Sequence, residues 1–481
     1  MKNLLLTISL AGCCVPAFAQ NGNFADSLQL QAGTTGTVAT QEYLPLWLTV
    51  KRFGTISDRK SDLSTYLRLR NAHRFGQEED FYLRYGISLY NNNHFRDVFF
   101  EEAFARVGYR KWEIRGGRYE EMLGEADQEL SSGAWGISGN ALPIPKIGIA
   151  LTEYADVPFT NGWLQVKGQF SHGWMGKEQY IRNAYLHEKT LYLRIGKERL
   201  KVYGGIQHFA VWGGNRSDLP KIKNSFSDYL NIVIGKEGDD GTVINEEIAP
   251  NRPGDHRGVL EGGVSWENEA LQFMLYNQSM FETGQNISIK NTDRLLGLSY
   301  RNKNEDGALR GLTLEFINTK KMNSWDPLRV RESYYNNGIY LTGWEYQGRI
   351  IGTPLFINRQ RGQHYFSDIR PYDWSQPKDS ISGRGWNIIS NRVTGLHLGG
   401  RYRIGTAIQG RTLITYTKNF GNYQNTATFN GGLTQWYTLQ EIQWNTPLTG
   451  FSVTGGLAAD WGKLGNNTGF MLGARWSFGS E

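Results

Sequence analysis

The chain has 481 residues, 39% of them hydrophobic and 13% aromatic, with a mean hydropathy of −0.49. Helical membrane proteins need repeated apolar runs of about 20 residues, and disordered chains are poor in aromatics, so both classes are excluded. Lys and Arg number 52 against 46 Asp and Glu, a formal charge of +6; without a dense basic run, that mild excess gives no footprint for nucleic acid. Glycine is abundant at 58 and proline scarce at 13, which suits a sheet protein with frequent turns.

Residues 1–19 read as a secretory signal peptide. Lys2 is the basic start, Leu4 to Leu10 the short apolar stretch, and Ala17-Phe18-Ala19 a small-x-small cleavage site before Gln20. A competing reading uses Leu10-Ala11-Gly12-Cys13 as a lipoprotein signal, with lipid on Cys13. Either way the chain is expected to be exported by a Gram-negative bacterium. The two cysteines, Cys13 and Cys14, both lie in this leader. Cleavage after Ala19 leaves a cysteine-free chain, suited to an oxidising periplasm, with no disulfide framework and no thiolate metal site.

Alternation of period two dominates the rest. Phe81, Leu83, Tyr85, Ile87 and Leu89 share one face. Residues 119–136 look briefly helical. Leu191, Leu193 and Ile195 lead through Gly196-Lys197-Glu198-Arg199 into Leu200, Val202, Gly204 and Ile206, a hairpin signal. Residues 221–235 hold a turn or two of helix, and 235–257 are polar and glycine-rich. Leu312, Leu314 and Phe316 alternate with Thr313 and Glu315 before a long stretch, 318–392, rich in Asn, Arg, Tyr and Trp. Phe451 to Trp461 alternates again, and Phe470, Leu472, Ala474, Trp476 and Phe478 share a face of the last strand.

A soluble β-sandwich or propeller fits this pattern, but an all-β, transmembrane antiparallel β-barrel fits it better. Segments of about ten residues with one apolar face match tilted spanning strands, and aromatics gather at their ends as interface girdles do. An open sheet edge cannot persist in lipid, so the sheet is expected to close. Length predicts 16 to 20 strands by the usual spacing of strand and connection, in a single domain over 20–481. Long polar loops are expected outside and short turns on the periplasmic side.

Several phrases add up to something specific. They are Leu44-Pro45-Leu46-Trp47-Leu48, Arg52 to Ser57, Ser138 to Ile147, Asn183 to Lys189 and His208 to Gly214. Tyr334-Tyr335-Asn336-Asn337, Gly343 to Arg349 and Gly352-Thr353-Pro354-Leu355 follow. In this order, from about residue 40 to the end, they resemble the capsule assembly Wzi family in its Bacteroidetes form. The resemblance implies an outer-membrane barrel of about 18 strands with short helical elements, one of them on the periplasmic side. It also implies a lectin-like role in binding capsular polysaccharide and helping capsule assembly or attachment.

Glycan binding needs flat aromatic faces and planar polar side chains, with Arg or Lys for acidic sugars. The candidates are Trp325, Trp344, Tyr346, Arg349, Trp374 and Trp386, in a region that also holds Tyr334, Tyr335, Tyr372, Arg329, Arg331, Arg359 and Arg361. The bland reading makes these girdle and lumen residues. Trp212-Gly213-Gly214 is read as a strand end with an interfacial anchor, and Ser138 to Ile147 as a turn into a strand. The eight histidines are scattered, with no HExxH, GxSxG or P-loop pattern, so no catalysis and no cofactor are expected. Glu237, Asp239, Asp240, Glu246 and Glu247 read as a solvated acidic turn, since they lack calcium-loop spacing. The expected partners are surface polysaccharide, outer-membrane lipid and the barrel-insertion machinery, not nucleic acid. A porin-type channel is the alternative function.

Overall fold

The computed structural model describes residues 27–479, less 77, 218–221, 237–242, 245–246, 249–253, 283–286, 288–289, 305, 323–332, 378–379, 382–384 and 425–426. The leader with its two processing alternatives, the acidic turn around Asp239, and Trp325, Arg329 and Arg331 lie outside the described residues, as does the side chain of Glu247.

Eighteen strands form one antiparallel sheet. In chain order they are β1 (Gln29–Tyr43), β2 (Arg59–Phe75), β3 (Phe81–Asn92), β4 (Asp97–Tyr109), β5 (Trp112–Arg118), β6 (Lys146–Asp156), β7 (Leu164–Trp174), β8 (Tyr185–Ile195) and β9 (Leu200–Trp212). The second half comprises β10 (Asp255–Glu267), β11 (Leu271–Phe281), β12 (Arg294–Asn302), β13 (Leu309–Asn318), β14 (Val393–Ile404), β15 (Ile408–Asn419), β16 (Leu433–Asn445), β17 (Phe451–Gly462) and β18 (Asn467–Phe478). Each pairs with its neighbours in sequence, and β1 closes the sheet on β18, with Leu30 opposite Phe478 and Ala39 opposite Gly469. Closure gives every strand a partner on both sides, which lipid demands because an unpaired peptide group there costs several kcal/mol.

The alternation places apolar side chains outward. Leu312, Leu314 and Phe316 are exposed, while Thr313 and Glu315 between them are buried in the lumen. The last strand does the same with Phe470, Leu472, Trp476 and Phe478. Aromatics mark both rims of this band: exposed Trp112, Trp163, Trp266, Trp444 and Trp476 on one, Trp174, Trp436 and Trp461 on the other. These are the two girdles of a membrane barrel.

The connections differ sharply between the two ends. The end where β1 begins and β18 finishes has tight turns, from 110–111 to 157–163. The opposite end carries 44–58, 119–145, 213–254 and 319–392. Barrels of this kind keep short turns inside and longer loops outside, so the second end is the outer one. The described helices are α1 (Leu46–Thr49), α2 (Phe226–Ile234) and α3 (Arg359–Gly362). None is long and apolar enough to cross a membrane.

All three helices sit in outer-end connections; among the described residues no helix lies at the periplasmic end, where the resemblance implied one. Residues 119–136 are turns and bends, not helix. Gly124 and Gly133 take positive φ there, and the glutamates that suggested a helix are drawn to the barrel wall instead. Helix appears at α2 as expected, opened by a reciprocal Ser225–Asp228 capping box and closed by Gly235 in the left-handed region.

The outer connections fold back into the lumen as a plug. Residues 119–121 tie down first: Arg68 bridges Glu120 at 2.8 Å and Glu101 at 3.0 Å, and Arg115 bridges Glu121 at 2.8 Å. Lys146 joins Glu121 to Glu188 of β8. Farther along, the Glu125 amide donates to Glu261 at 2.8 Å and the Ser132 amide to Glu315 at 2.7 Å. The 44–58 connection grips the other wall. The Leu46 amide donates to Asp460 at 2.9 Å, Trp47 Nε1 to Thr415 at 3.2 Å, and Arg52 pairs with Glu441. Gly399 of β14 is needed for this fit, because a Cβ there would run into the Leu130 carbonyl. Luminal carboxylates thus find backbone amides or cations as partners, as buried charges must.

Candidate functional site

The plug has a second layer, built from 333–391. Tyr335 Oη donates to the Trp135 carbonyl at 2.5 Å, Trp344 Nε1 to the Gly136 carbonyl at 2.8 Å, and Asn140 Nδ2 to the Ile350 carbonyl at 2.8 Å. A two-residue ribbon, Glu345–Tyr346 with Arg349–Ile350, turns at Gln347-Gly348. Gln347 has positive φ and is exposed at the tip.

Two clefts open on either side of that tip. One, of about 300 Å³, lies between the 44–58 connection and α3; Tyr43, Asp58, Gln347, Arg349, Arg361 and His364 are among its walls. The other, of about 490 Å³, is lined by Glu178, Glu345, Gln347, Gln360, Tyr372 and Trp374, with Asn387 behind. Gln347, Gly348 and Gln360 border both, so the clefts are adjacent.

Each cleft pairs rings with planar polar groups. In the first, Tyr43 stacks on His364 at 4.5 Å and meets Tyr365 edge-on at 5.7 Å. Burial pushes the Asp58 carboxyl up, but the nearby His364, 3.8 Å away, and Arg349 outweigh it and hold the group below its ordinary value. In the second, Tyr372 and Trp374 lie 5.3 Å apart. Arg359 packs over Tyr372 at 4.2 Å. Arg216, from the far side, sits 4.0 Å over Tyr180 and donates to the carbonyls of Tyr180, Trp374 and Gln376. Below them, Glu345 accepts from Asn358 and Asn387. Burial raises its carboxyl above the ordinary value, against those two hydrogen bonds.

The structure divides the residues singled out from sequence. Trp374 and Arg349 line the clefts. Trp344 is 0% exposed and Tyr346 is buried; both brace the ribbon from beneath and present no ring face. Arg349 is turned inward, donating to the Thr49 carbonyl at 3.1 Å and to that of Ile56. Trp386 is half-buried, its carbonyl accepting from Arg359 at 3.2 Å. The expected polar outer loop over 318–392 is in its described part largely plug, because Tyr334, Tyr335, Trp344 and Ile388 are buried in it. Sequence reasoning missed Tyr43, Asp58, Gln347, Gln360, His364 and Arg216, which come from five separate stretches with no motif to link them.

Among the described residues, one group brings three metal-capable oxygens within 4.8 Å: Glu101, Glu102 and Glu120. Arg68 and Arg70 already pair with all three carboxylates, so this is an ion-pair network of the plug. A chamber of about 430 Å³ lies beside the 119–128 strap, lined by Arg106, Arg115, Lys167 and Gln169.

The fold and sequence have known counterparts. Among solved structures, Wzi of Escherichia coli, described as an outer-membrane protein involved in group 1 capsule assembly and a carbohydrate-binding β-barrel, superposes with a TM-score of 0.58. It shares 12% identity over 95% of this chain and 85% of its own. OccK5 and OpdQ of Pseudomonas aeruginosa are similar at TM-scores of 0.46 and 0.47, with 10% and 9% identity. They cover 95% and 94% of this chain, and 99% and 98% of their own. No curated protein sequence matches the chain. The family model described as capsule assembly protein Wzi matches residues 48–367, from the plug helix α1 past α3. That match takes in much of the plug, stopping short of Tyr372, Trp374 and Asn387 of the second cleft, and the chain belongs to the capsule assembly protein Wzi family.

Proposed function

We propose that the chain is an outer-membrane barrel, exported by its leader, that binds capsular or other surface polysaccharide at the outer clefts and helps assemble or attach the capsule. The observation that carries this is the plug. Loops from the outer end fill the lumen, and their outward side offers rings, amides and carboxylates in two adjoining clefts. Carbohydrate binding is also what the Escherichia coli structure is described as doing.

Tyr372 and Trp374 supply C–H stacking faces, and Gln347, Gln360 and Asn387 supply hydrogen bonds to hydroxyls. Trp344 and Tyr346 hold these groups in place. Binding is weak at each cleft and strengthened by repetition along the polymer and across many barrels. The role is non-catalytic and needs no cofactor. Lipid surrounds the apolar band, and the aromatic last strand is the feature the insertion machinery reads.

A porin shares the barrel but needs an open lumen. Two measurements on the purified protein separate the readings: binding of the polysaccharide from its own strain, and conductance in planar bilayers. Binding with near-silent bilayers is expected; absent binding with steady open channels would replace this proposal by the porin.

A further inference from the structure

Four of the eight histidines gather on the outside of the barrel, away from the clefts. His172, His187, His208 and His256 stand on β7, β8, β9 and β10. Each shares the face of lipid-exposed residues on its own strand: Phe170, Leu191, Ile206 and Val264. Register makes them neighbours. His172 is opposite His187, His208 opposite Lys189, and Ala210 opposite both His187 and His256.

Helix α2 packs over two of them. Its Tyr229 ring lies 5.4 Å from His172 and 5.8 Å from His187, and stacks on Trp212 at 5.4 Å. Lys189 Nζ donates to the Val233 carbonyl and so clamps the helix C-terminus to the barrel wall. Beneath the helix, His187 is 0% exposed, and neither ring nitrogen has a hydrogen-bond partner among the described residues. A buried imidazole without a partner, as at His187, is unfavourable on a barrel face whose other outward positions are apolar.

The geometry among three of the rings points to a ligand. His208 Nε2 and His256 Nδ1 are 3.0 Å apart, with ring centroids separated by 5.2 Å. The His187 ring is 6.0 Å from that of His208. Two imidazole nitrogens bound to one tetrahedral ion at about 2.1 Å each are separated by little more than 3 Å. We propose that His208 and His256, joined by His187 after rotation of its ring, form a site under α2 for a late first-row divalent cation of the zinc class. Imidazole nitrogen is the ligand type such ions prefer. In the metal-free arrangement the His208–His256 contact is a hydrogen bond, and the ion takes its place. A water fills the fourth position. The carbonyl end of α2 faces the same region and favours positive charge, which offsets the nearby Lys189.

The consequence is mechanical. Bound metal ties β8, β9 and β10 to each other beneath α2. The helix then holds Phe226, Leu230 and Ile234, which are 74%, 49% and 70% exposed, toward the lipid.

The test uses the mature chain purified in metal-free detergent and titrated with zinc alone by calorimetry, followed by X-ray absorption on the loaded protein. One zinc per chain and scattering from imidazole ligands are expected. His208→Asn and His256→Asn should each weaken binding by at least about tenfold, and His187→Asn should remove one imidazole from the spectrum. His94→Asn, in an exposed turn, should change nothing. Heat-modifiable migration confirms that each variant is folded. No binding by the wild type, or undiminished binding by the folded His208→Asn/His256→Asn double variant, would overturn the assignment.

Discussion

Asn358 Nδ2 donates to Glu345 Oε2 at 2.7 Å, and Asn387 Nδ2 reaches the same oxygen at the same distance. One buried carboxylate thereby joins α3, the ribbon and the return to β14. Glu345→Ala leaves two buried amides unpaired, at a cost of about 1–3 kcal/mol, and frees the Gln347 turn above them. Polysaccharide affinity of the purified protein should fall while the barrel keeps its heat-modifiable migration. Glu345→Gln keeps an acceptor and should lose less. Equal binding by all three forms would detach the clefts from recognition.

Two of the four tryptophans singled out from sequence, Trp344 and Trp374, should separate cleanly. Trp344 is fully buried with its indole bonded at Gly136, so Trp344→Ala should destabilise the plug by about 3–5 kcal/mol, seen as earlier proteolysis of the 333–391 layer. Trp374 is half-buried in a cleft. Trp374→Ala should leave proteolysis unchanged and weaken binding, with a lost stacking face worth about 1 kcal/mol or more per site.

Arg216 holds the Trp374 segment from outside it, through the carbonyls of Trp374 and Gln376, and ties it to the carbonyl of Tyr180. Arg216→Ala should lower affinity nearly as far as Trp374→Ala, and the double variant should add little, because both act on one ring. Additive losses in a double-mutant cycle would show that Arg216 contributes by another route.

Acid should loosen the plug through Glu121. Burial pushes this carboxyl up, but Lys146 and Arg115 prevail and hold it below its usual value. A carboxyl so lowered contributes stability that is complete above about pH 4.5 and is lost as pH falls below that toward the folded value. Resistance of the 119–145 segment to an acid-active protease should therefore drop from pH 5 to about pH 3. Glu121→Gln should flatten that drop; an unchanged slope would assign it to other groups.

Gly399 admits the plug to β14, and His397 Nε2 contacts the Leu130 carbonyl at 2.6 Å beside it. Gly399→Val should push the 127–133 turn off the wall and open a leak. Wild-type bilayers are expected to be nearly silent and the variant to conduct; silence in the folded variant would mean that the 333–391 layer seals the lumen alone.

The barrel was legible because lipid on one face and a polar lumen on the other impose strict alternation, as in Leu312 to Phe316. The hairpin at 196–199 and helix α2 were legible for local reasons, a short turn and a capping box. The plug was not. Glu120 and Glu121 read as helix formers, yet their partners, Arg68, Arg115 and Lys146, are wall residues of β2, β5 and β6. Tyr346 and Trp344 looked like ring faces for sugar because aromatics in a polar stretch read alike whether they face solvent or a lumen. The clefts join Tyr43, Gln347, Gln360 and Trp374 through tertiary folding alone, which no spacing announces.

The most direct test is to place Trp374→Ala with Arg216→Ala in the chromosomal copy and compare cell-bound with released polysaccharide. The account predicts normal barrel levels and normal total polysaccharide, with a large share shed into the medium. Full retention at the cell surface, with the variant protein present and folded, would contradict a role for these clefts in holding the capsule.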